Sequence, residues 1–198
     1  MKDPMFYKLI RPIVTIWFKL MFKPEYINNG AIPKKGRVLL AGTHISKMDA
    51  IIILSCTKRV VRGIGKAELF KNFFSRALFK GLGAIPVDRK NDAASIIPIC
   101  VSLLENECVV GIMPEGTINR TEEVIMPFKT GVIRISLEAK APIIPFAIIG
   151  KVNAKYNSFA KGVKIIFGDV YHPETKDVEK ETKLLEEKVK ALIKQGES

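Results

Sequence analysis

Gly42-Thr43-His44-Ile45-Ser46-Lys47-Met48-Asp49 sets a histidine and a carboxylate five positions apart, between two apolar runs. Before it, Arg37-Val38-Leu39-Leu40-Ala41 has the composition of a buried strand; after it, Ala50-Ile51-Ile52-Ile53-Leu54 continues as a helix. On one continuous helix, residues i and i+5 point roughly 140° apart, so the two side chains meet only if the helix starts between them. The sequence therefore predicts a strand ending at His44, an N-cap at Ser46, and Asp49 in the first helical turn, where the dipole favours a carboxylate. The same four residues, Ser46 to Asp49, also fit a capping box, which needs no chemistry.

Apolar runs and helical stretches alternate outward from that junction. Further strands are expected near 60–64, 83–89, 108–113, 143–149 and 164–168. Helices are expected to about Thr57, through Lys80, over about 93–105 with a kink at Pro98, over 131–140, and over about 178–194. Such alternation predicts an α/β fold with a largely parallel or mixed central sheet covered on both faces by helices. In these sheets functional groups gather at the carboxyl ends of strands. His44, Arg89 and Glu115 each follow directly on an apolar strand, so one shared site is expected.

Residues 1–30 read as an N-terminal interfacial helix or helical pair, and 31–198 as the α/β domain, with a loop rich in turn formers from Tyr26 to Gly36 between them. Lys8, Arg11, Thr15, Lys19 and Lys23 follow one another at spacings of three or four, on a segment otherwise dominated by Leu, Ile, Phe and Trp17. A wide apolar face with a basic stripe predicts a helix lying in a membrane interface, with Pro12 kinking or splitting it. The competing reading is an amphipathic helix packed on the protein's own core. The segment is interrupted by charge and lacks a small-residue cleavage site, so it does not read as a signal peptide.

The formal net charge of +12 over 198 residues calls for an anionic partner. The basic residues show no recognition-helix or aromatic RNA-binding pattern, so nucleic acid ranks low. Cys56, Cys100 and Cys108 have neither disulfide nor zinc spacing and read as reduced core residues; no metal site is expected. No uncharged run approaches the ~18–20 residues of a spanning helix.

His44-Ile45-Ser46-Lys47-Met48-Asp49 resembles the HxxxxD motif of the glycerophosphate and lysophosphatidic acid acyltransferase family. Gly83-Ala84-Ile85-Pro86-Val87-Asp88-Arg89, Met113-Pro114-Glu115-Gly116-Thr117 and Pro142-Ile143-Ile144-Pro145 match its second, third and fourth blocks in the same order, over about residues 37–170. The resemblance implies transfer of a fatty acyl group from acyl-CoA or acyl carrier protein, as co-substrate and without a cofactor, to the free hydroxyl of 1-acylglycerol 3-phosphate, giving phosphatidic acid. The interfacial helix and the basic surplus together predict a peripheral or monotopic protein on the cytoplasmic face of a membrane, with anionic lipid as partner. Two positions depart from the family: Thr43 stands where Asn is usual, and Ile118 where Arg often follows Glu-Gly-Thr.

An alcohol attacks a thioester readily once a base takes its proton, and imidazole as a class titrates near neutral pH. His44 is the candidate base and Asp49 its orienting acid. No Ser or Cys sits in a nucleophile motif, so direct transfer is expected. Arg89 and Arg120 are candidates for the acceptor's phosphate, with Lys66 a third whose competing reading is a solvated surface charge. Within the third block, Glu115 is a candidate to position the glycerol hydroxyl or to anchor its own loop. Gly116 would admit backbone to the ligand, and Thr117 lies beside it. Rival expectations are another lysolipid or glycerol 3-phosphate as acceptor, and a non-catalytic phospholipid-binding protein.

Overall fold

The computed structural model describes residues 5–87, 95–150 and 163–197. Its centre is a seven-stranded sheet in the order β1-β7-β6-β2-β5-β3-β4. The strands are β1 (Glu25–Ile27), β2 (Val38–Gly42), β3 (Val61–Lys66), β4 (Ile85–Val87), β5 (Val109–Ile112), β6 (Ile143–Ile149) and β7 (Lys164–Phe167). Among the described strands, β6 and β7 pair antiparallel and the other neighbouring pairs are parallel. The central strands are apolar without alternation because they are covered on both faces. All five residues of β2 are buried.

Two helical layers supply that cover. On one face lie α4 (Ile96–Glu105), α5 (Gly131–Ala139) and α6 (Val178–Glu197), packed around Leu104, Ile133, Ile143 and Val189. On the other, α1 (Met5–Phe22) and α2 (Asp49–Cys56) enclose Phe18, Leu40, Ile52 and Phe146. A short 3-10 turn (Ala67–Phe70) and α3 (Phe73–Gly81) run along the β3–β4 side.

Several local expectations change. Pro12 lies inside a single helix, α1, that runs through it. Pro98 is the third residue of α4, in the first turn, where no intrahelical N–H is lost. β1 takes in the first two residues of the loop expected from Tyr26 to Gly36, and it joins the sheet beside β7. The helix after His44 begins at Asp49, with Met48 rather than Ser46 at the N-cap position. Ser46 still serves the turn, because its Oγ accepts the Met48 N–H at 3.1 Å.

The polar stripe of α1 is not presented outward as one face. Tyr7, Thr15, Phe18 and Phe22 are buried against the protein, and Arg11 donates from Nε to the Thr57 carbonyl at 3.0 Å. Lys8, Lys19 and Lys23 stay exposed, together with Leu9, Ile13, Ile16, Trp17 and Leu20. The helix is thus packed on the core along one side, and on the other it exposes large apolar side chains among lysines. None of the helices among the described residues is long and apolar enough to cross a membrane.

Candidate active site

The junction after β2 is held by close backbone packing. Gly42 pairs with Phe146 of β6, so near that any Cβ at position 42 would collide with it. Thr43, buried, accepts the Ile148 N–H at 2.9 Å and so pins the end of β2 to β6. The chain then leaves the sheet at His44.

His44 Nδ1 lies 2.7 Å from Asp49 Oδ2. The same oxygen accepts the backbone N–H of Ile45 at 2.9 Å and of Ser46 at 3.0 Å. One carboxylate oxygen therefore closes the turn and orients the ring. Asp49 is fully buried, and its Oδ1 has no hydrogen-bond partner among the described residues. With Nδ1–H donated to the carboxylate, the lone pair of the ring belongs to Nε2. The His44 side chain keeps 22% of its surface exposed, enough for a substrate hydroxyl to reach it.

β5 lies beside β2, with Ala41 opposite Ile112, and this register brings the third block to the first. Glu115 Oε1 accepts the His44 N–H at 2.7 Å, and Oε2 accepts the Met126 N–H at 3.0 Å. At 4% exposure Glu115 spends both oxygens on backbone, and burial pushes its carboxyl above the ordinary range although the two N–H bonds pull the other way. Both carboxylate oxygens thus hold backbone, one at His44 and one in the loop that follows. The loop from 116 to 129 then wraps the histidine: the Asn119 N–H donates to the His44 carbonyl at 2.7 Å, and the Phe128 N–H to Glu186 of α6 at 2.6 Å.

Gly116 takes φ +73°, a conformation that strains other residues, and a Cβ there would come within 2.8 Å of Lys129 Nζ. Lys129 is thus a cation of the third block's loop that the sequence reading did not single out. Among 32 lysines and arginines nothing local marks it; only the fold of the loop brings it back to Gly116. Thr117 and Arg120 are exposed on this loop, Arg120 directly after the residue bonded to His44. Lys66 is exposed at the end of β3, the strand on the far side of β5. Arg89 lies outside the described residues.

Two of the three thiols are shut out of chemistry by burial. Burial pushes the Cys56 and Cys100 thiols up to about 12, so neither is a thiolate at neutral pH. Ile45, Met48 and Met113 edge the same apolar cluster that holds Phe18 and Phe22 of α1, so the site and the N-terminal helix share one continuous apolar body.

The profile of the family described as Acyltransferase matches residues 23–149. A 1-acyl-sn-glycerol-3-phosphate acyltransferase of Bacillus subtilis is 32% identical over 168 residues, covering 84% of this chain and 82% of the relative. A protein of Mycoplasma genitalium named as a probable enzyme of the same kind is 25% identical over 186 residues, covering 84% and 68%. The crystal structure of the 1-acyl-sn-glycerophosphate (LPA) acyltransferase PlsC from Thermotoga maritima superposes with a TM-score of 0.78 over 97% of this chain and 81% of that one, at 19% identity, a likeness of fold.

Proposed function

The chain belongs to the acyltransferase family, and from that premise we propose that His44 removes the proton from the free hydroxyl of 1-acylglycerol 3-phosphate as it attacks an acyl thioester. The protein is an O-acyltransferase that acylates lysophosphatidic acid to phosphatidic acid. The observation that carries the catalytic assignment is the 2.7 Å bond from His44 Nδ1 to a buried carboxylate, which leaves Nε2 as the basic nitrogen.

In the proposed step, Nε2 takes the hydroxyl proton while the oxygen forms a bond to the thioester carbonyl carbon. The tetrahedral intermediate collapses with cleavage of the carbon–sulfur bond. The departing thiolate takes the proton from the imidazolium, so histidine ends as it began. Asp49 holds the tautomer and stabilises the transient cation, as the acid does in a serine-protease triad. Glu115 acts by position: it fixes the His44 backbone and the far end of the 116–129 loop with one carboxylate. Arg120, Lys129 and Lys66 supply positive charge for the acceptor's phosphate, with Arg89 a further candidate, and Gly116 and Thr117 form the turn beside them. Acyl-CoA or acyl carrier protein serves as donor.

The outward apolar side of α1 supports a peripheral seat on an anionic membrane surface, on the cytoplasmic face, with residues 1–30 as the anchor and 31–198 as the catalytic domain. Membrane and substrate are then met on adjoining parts of one apolar body.

The test is thiol release by the purified protein with acyl-CoA or acyl-loaded carrier protein against a panel of acceptors. The expected result is turnover with 1-acylglycerol 3-phosphate and little with glycerol 3-phosphate or uncharged lysolipids. Equal rates with all acceptors would remove the phosphate from the account, and no thiol release with any would overturn the catalytic reading.

A further inference from the structure

Between the 3-10 turn, α3 and β4 lies an open cavity of about 550 Å³, and Lys71, Arg76 and Lys80 line it beside one carboxylate, Glu68. Arg76 is fixed there by a bond from Nε to the Phe70 carbonyl at 3.1 Å. Next to the cavity, Phe73 and Phe74 at the start of α3 are 78% and 84% exposed, with Leu69 and Leu78 also exposed. The two rings contact each other edge to face, with centroids 5.8 Å apart. Burying a Phe side chain is worth about 1.5–3 kcal/mol. Two adjacent ones left in water, beside a cationic cavity, form a surface shaped for an apolar phase with anionic groups at its edge.

This face is joined to α1. The Phe6 ring lies against Gly81 at the end of α3, so close that a Cβ at Gly81 would clash with it. The 3-10 turn starts directly after Lys66, the last residue of β3, a strand of the same carboxyl rim as His44.

We propose that the 3-10 turn and α3 form a second membrane-docking element, with Phe73, Phe74 and Leu78 entering the acyl region of an anionic phospholipid leaflet. Lys71, Arg76 and Lys80 receive a lipid phosphodiester in the cavity. The inference rests on the membrane reading of α1 and extends it. One helix lying in an interface is free to roll about its own axis, whereas a second contact fixes the roll. The rim that carries His44 is thereby held at a set orientation to the leaflet that supplies the lipid acceptor. Apolar insertion together with a phosphodiester site favours lipid over an acidic protein partner, which would use the cations without needing three exposed apolar side chains.

The experiment is cosedimentation of the full chain with vesicles of phosphatidylcholine alone and with a third of phosphatidylglycerol. Three variants are compared: Phe73→Ser/Phe74→Ser, Lys71→Glu/Lys80→Glu, and Leu9→Ser/Ile13→Ser/Leu20→Ser on α1. All substituted side chains are exposed, and circular dichroism with thermal unfolding confirms that each variant is folded. The α3 aromatic variant is expected to lose about tenfold in partitioning onto both vesicle types. The charge-reversal variant is expected to lose about tenfold on the anionic vesicles only, with a weaker salt dependence. Turnover of a short-chain acceptor dispersed below its aggregation threshold should be unchanged in both. If both α3 variants bind as wild type while the α1 variant does not, this inference fails and the α1 reading stands. If only the α1 variant binds as wild type, the α1 reading fails and the docking site on α3 remains. Unchanged vesicle binding with a raised KM for acyl carrier protein would assign the face to the carrier and overturn the proposal.

Discussion

Around His44, buried polar groups are spent on backbone: Asp49 is wholly buried, Glu115 is 4% exposed, and between them they accept four N–H groups and the imidazole. On α1 the arrangement inverts, with Thr15 buried while Leu9, Ile13 and Leu20 are 64%, 63% and 69% exposed. In the first region the polar groups are held by the chain itself, apart from Asp49 Oδ1. The second is apolar surface that burial in another phase would satisfy. A rigid polar site beside an unfinished apolar face is the combination that an enzyme taking its acceptor from a bilayer needs, since chemistry requires fixed geometry and docking requires area.

That contrast is broken most severely at the imidazole. His44→Ala should lower turnover by 10²-fold or more with thermal unfolding nearly unchanged, because a general base contributes at least that much and the ring carries little of the core. Glu115→Ala is expected next. It frees the N–H groups of His44 and Met126 together, which should cost about 2 kcal/mol of stability and lower kcat while leaving the acceptor's KM close to wild type. Glu115→Gln keeps one acceptor oxygen and sets its NH2 against the other N–H, so it should recover only part of both. A reversed pattern, with KM raised and stability intact, would return Glu115 to substrate binding.

Smaller effects are expected where cations meet solvent. Arg120→Ala and Lys129→Ala should each raise the acceptor's KM by about tenfold or less, because exposed charges are screened, and should leave the donor's KM in place. Equal changes for donor and acceptor would take both residues off the phosphate.

The smallest effect is a pH signature separating the site from the far end of the fold. Glu181 is buried, which works against its charge. Hydrogen bonds from Tyr171, Thr175 and Glu174 nonetheless hold its carboxyl below the ordinary range. A lowered carboxyl stabilises the fold fully above its unfolded value of about 4.3, and that stabilisation is lost as pH falls through the lowered one. Glu115 is raised, so its contribution is present at acid pH and is lost as pH rises through the raised value. Equilibrium unfolding between pH 3 and 7 should therefore flatten on the acid side in Glu181→Gln, and change in the opposite sense in Glu115→Gln.

Much of this was legible in the sequence because the signals were local. The strand before His44 and the helix after it are strong apolar runs of different period, and the five-residue spacing reads correctly once a junction is placed between them. The alternation of strands and helices likewise gave the α/β sheet. What the sequence could not give was pairing between distant segments. That Glu115 would spend both oxygens on the His44 and Met126 backbones follows from the β2–β5 register. That Lys129 would lie against Gly116 follows from the path of a loop without periodicity. On α1, the wheel placed the basic stripe and the apolar arc correctly but not their orientation. Tyr7, Phe18 and Phe22 claim the core, and they carry Arg11 and Thr15 inward with them.

In the proposed mechanism His44 and Asp49 act as one catalytic unit, the acid reaching the chemistry through the ring. The direct measurement is a double-mutant cycle in acyl transfer, with kcat compared for His44→Ala, Asp49→Asn and the two together. The expected result is a double variant no slower than His44→Ala alone, since without the imidazole the turn that Asp49 closes carries no base. Losses that multiply across the two positions would show that each works separately, and would contradict it.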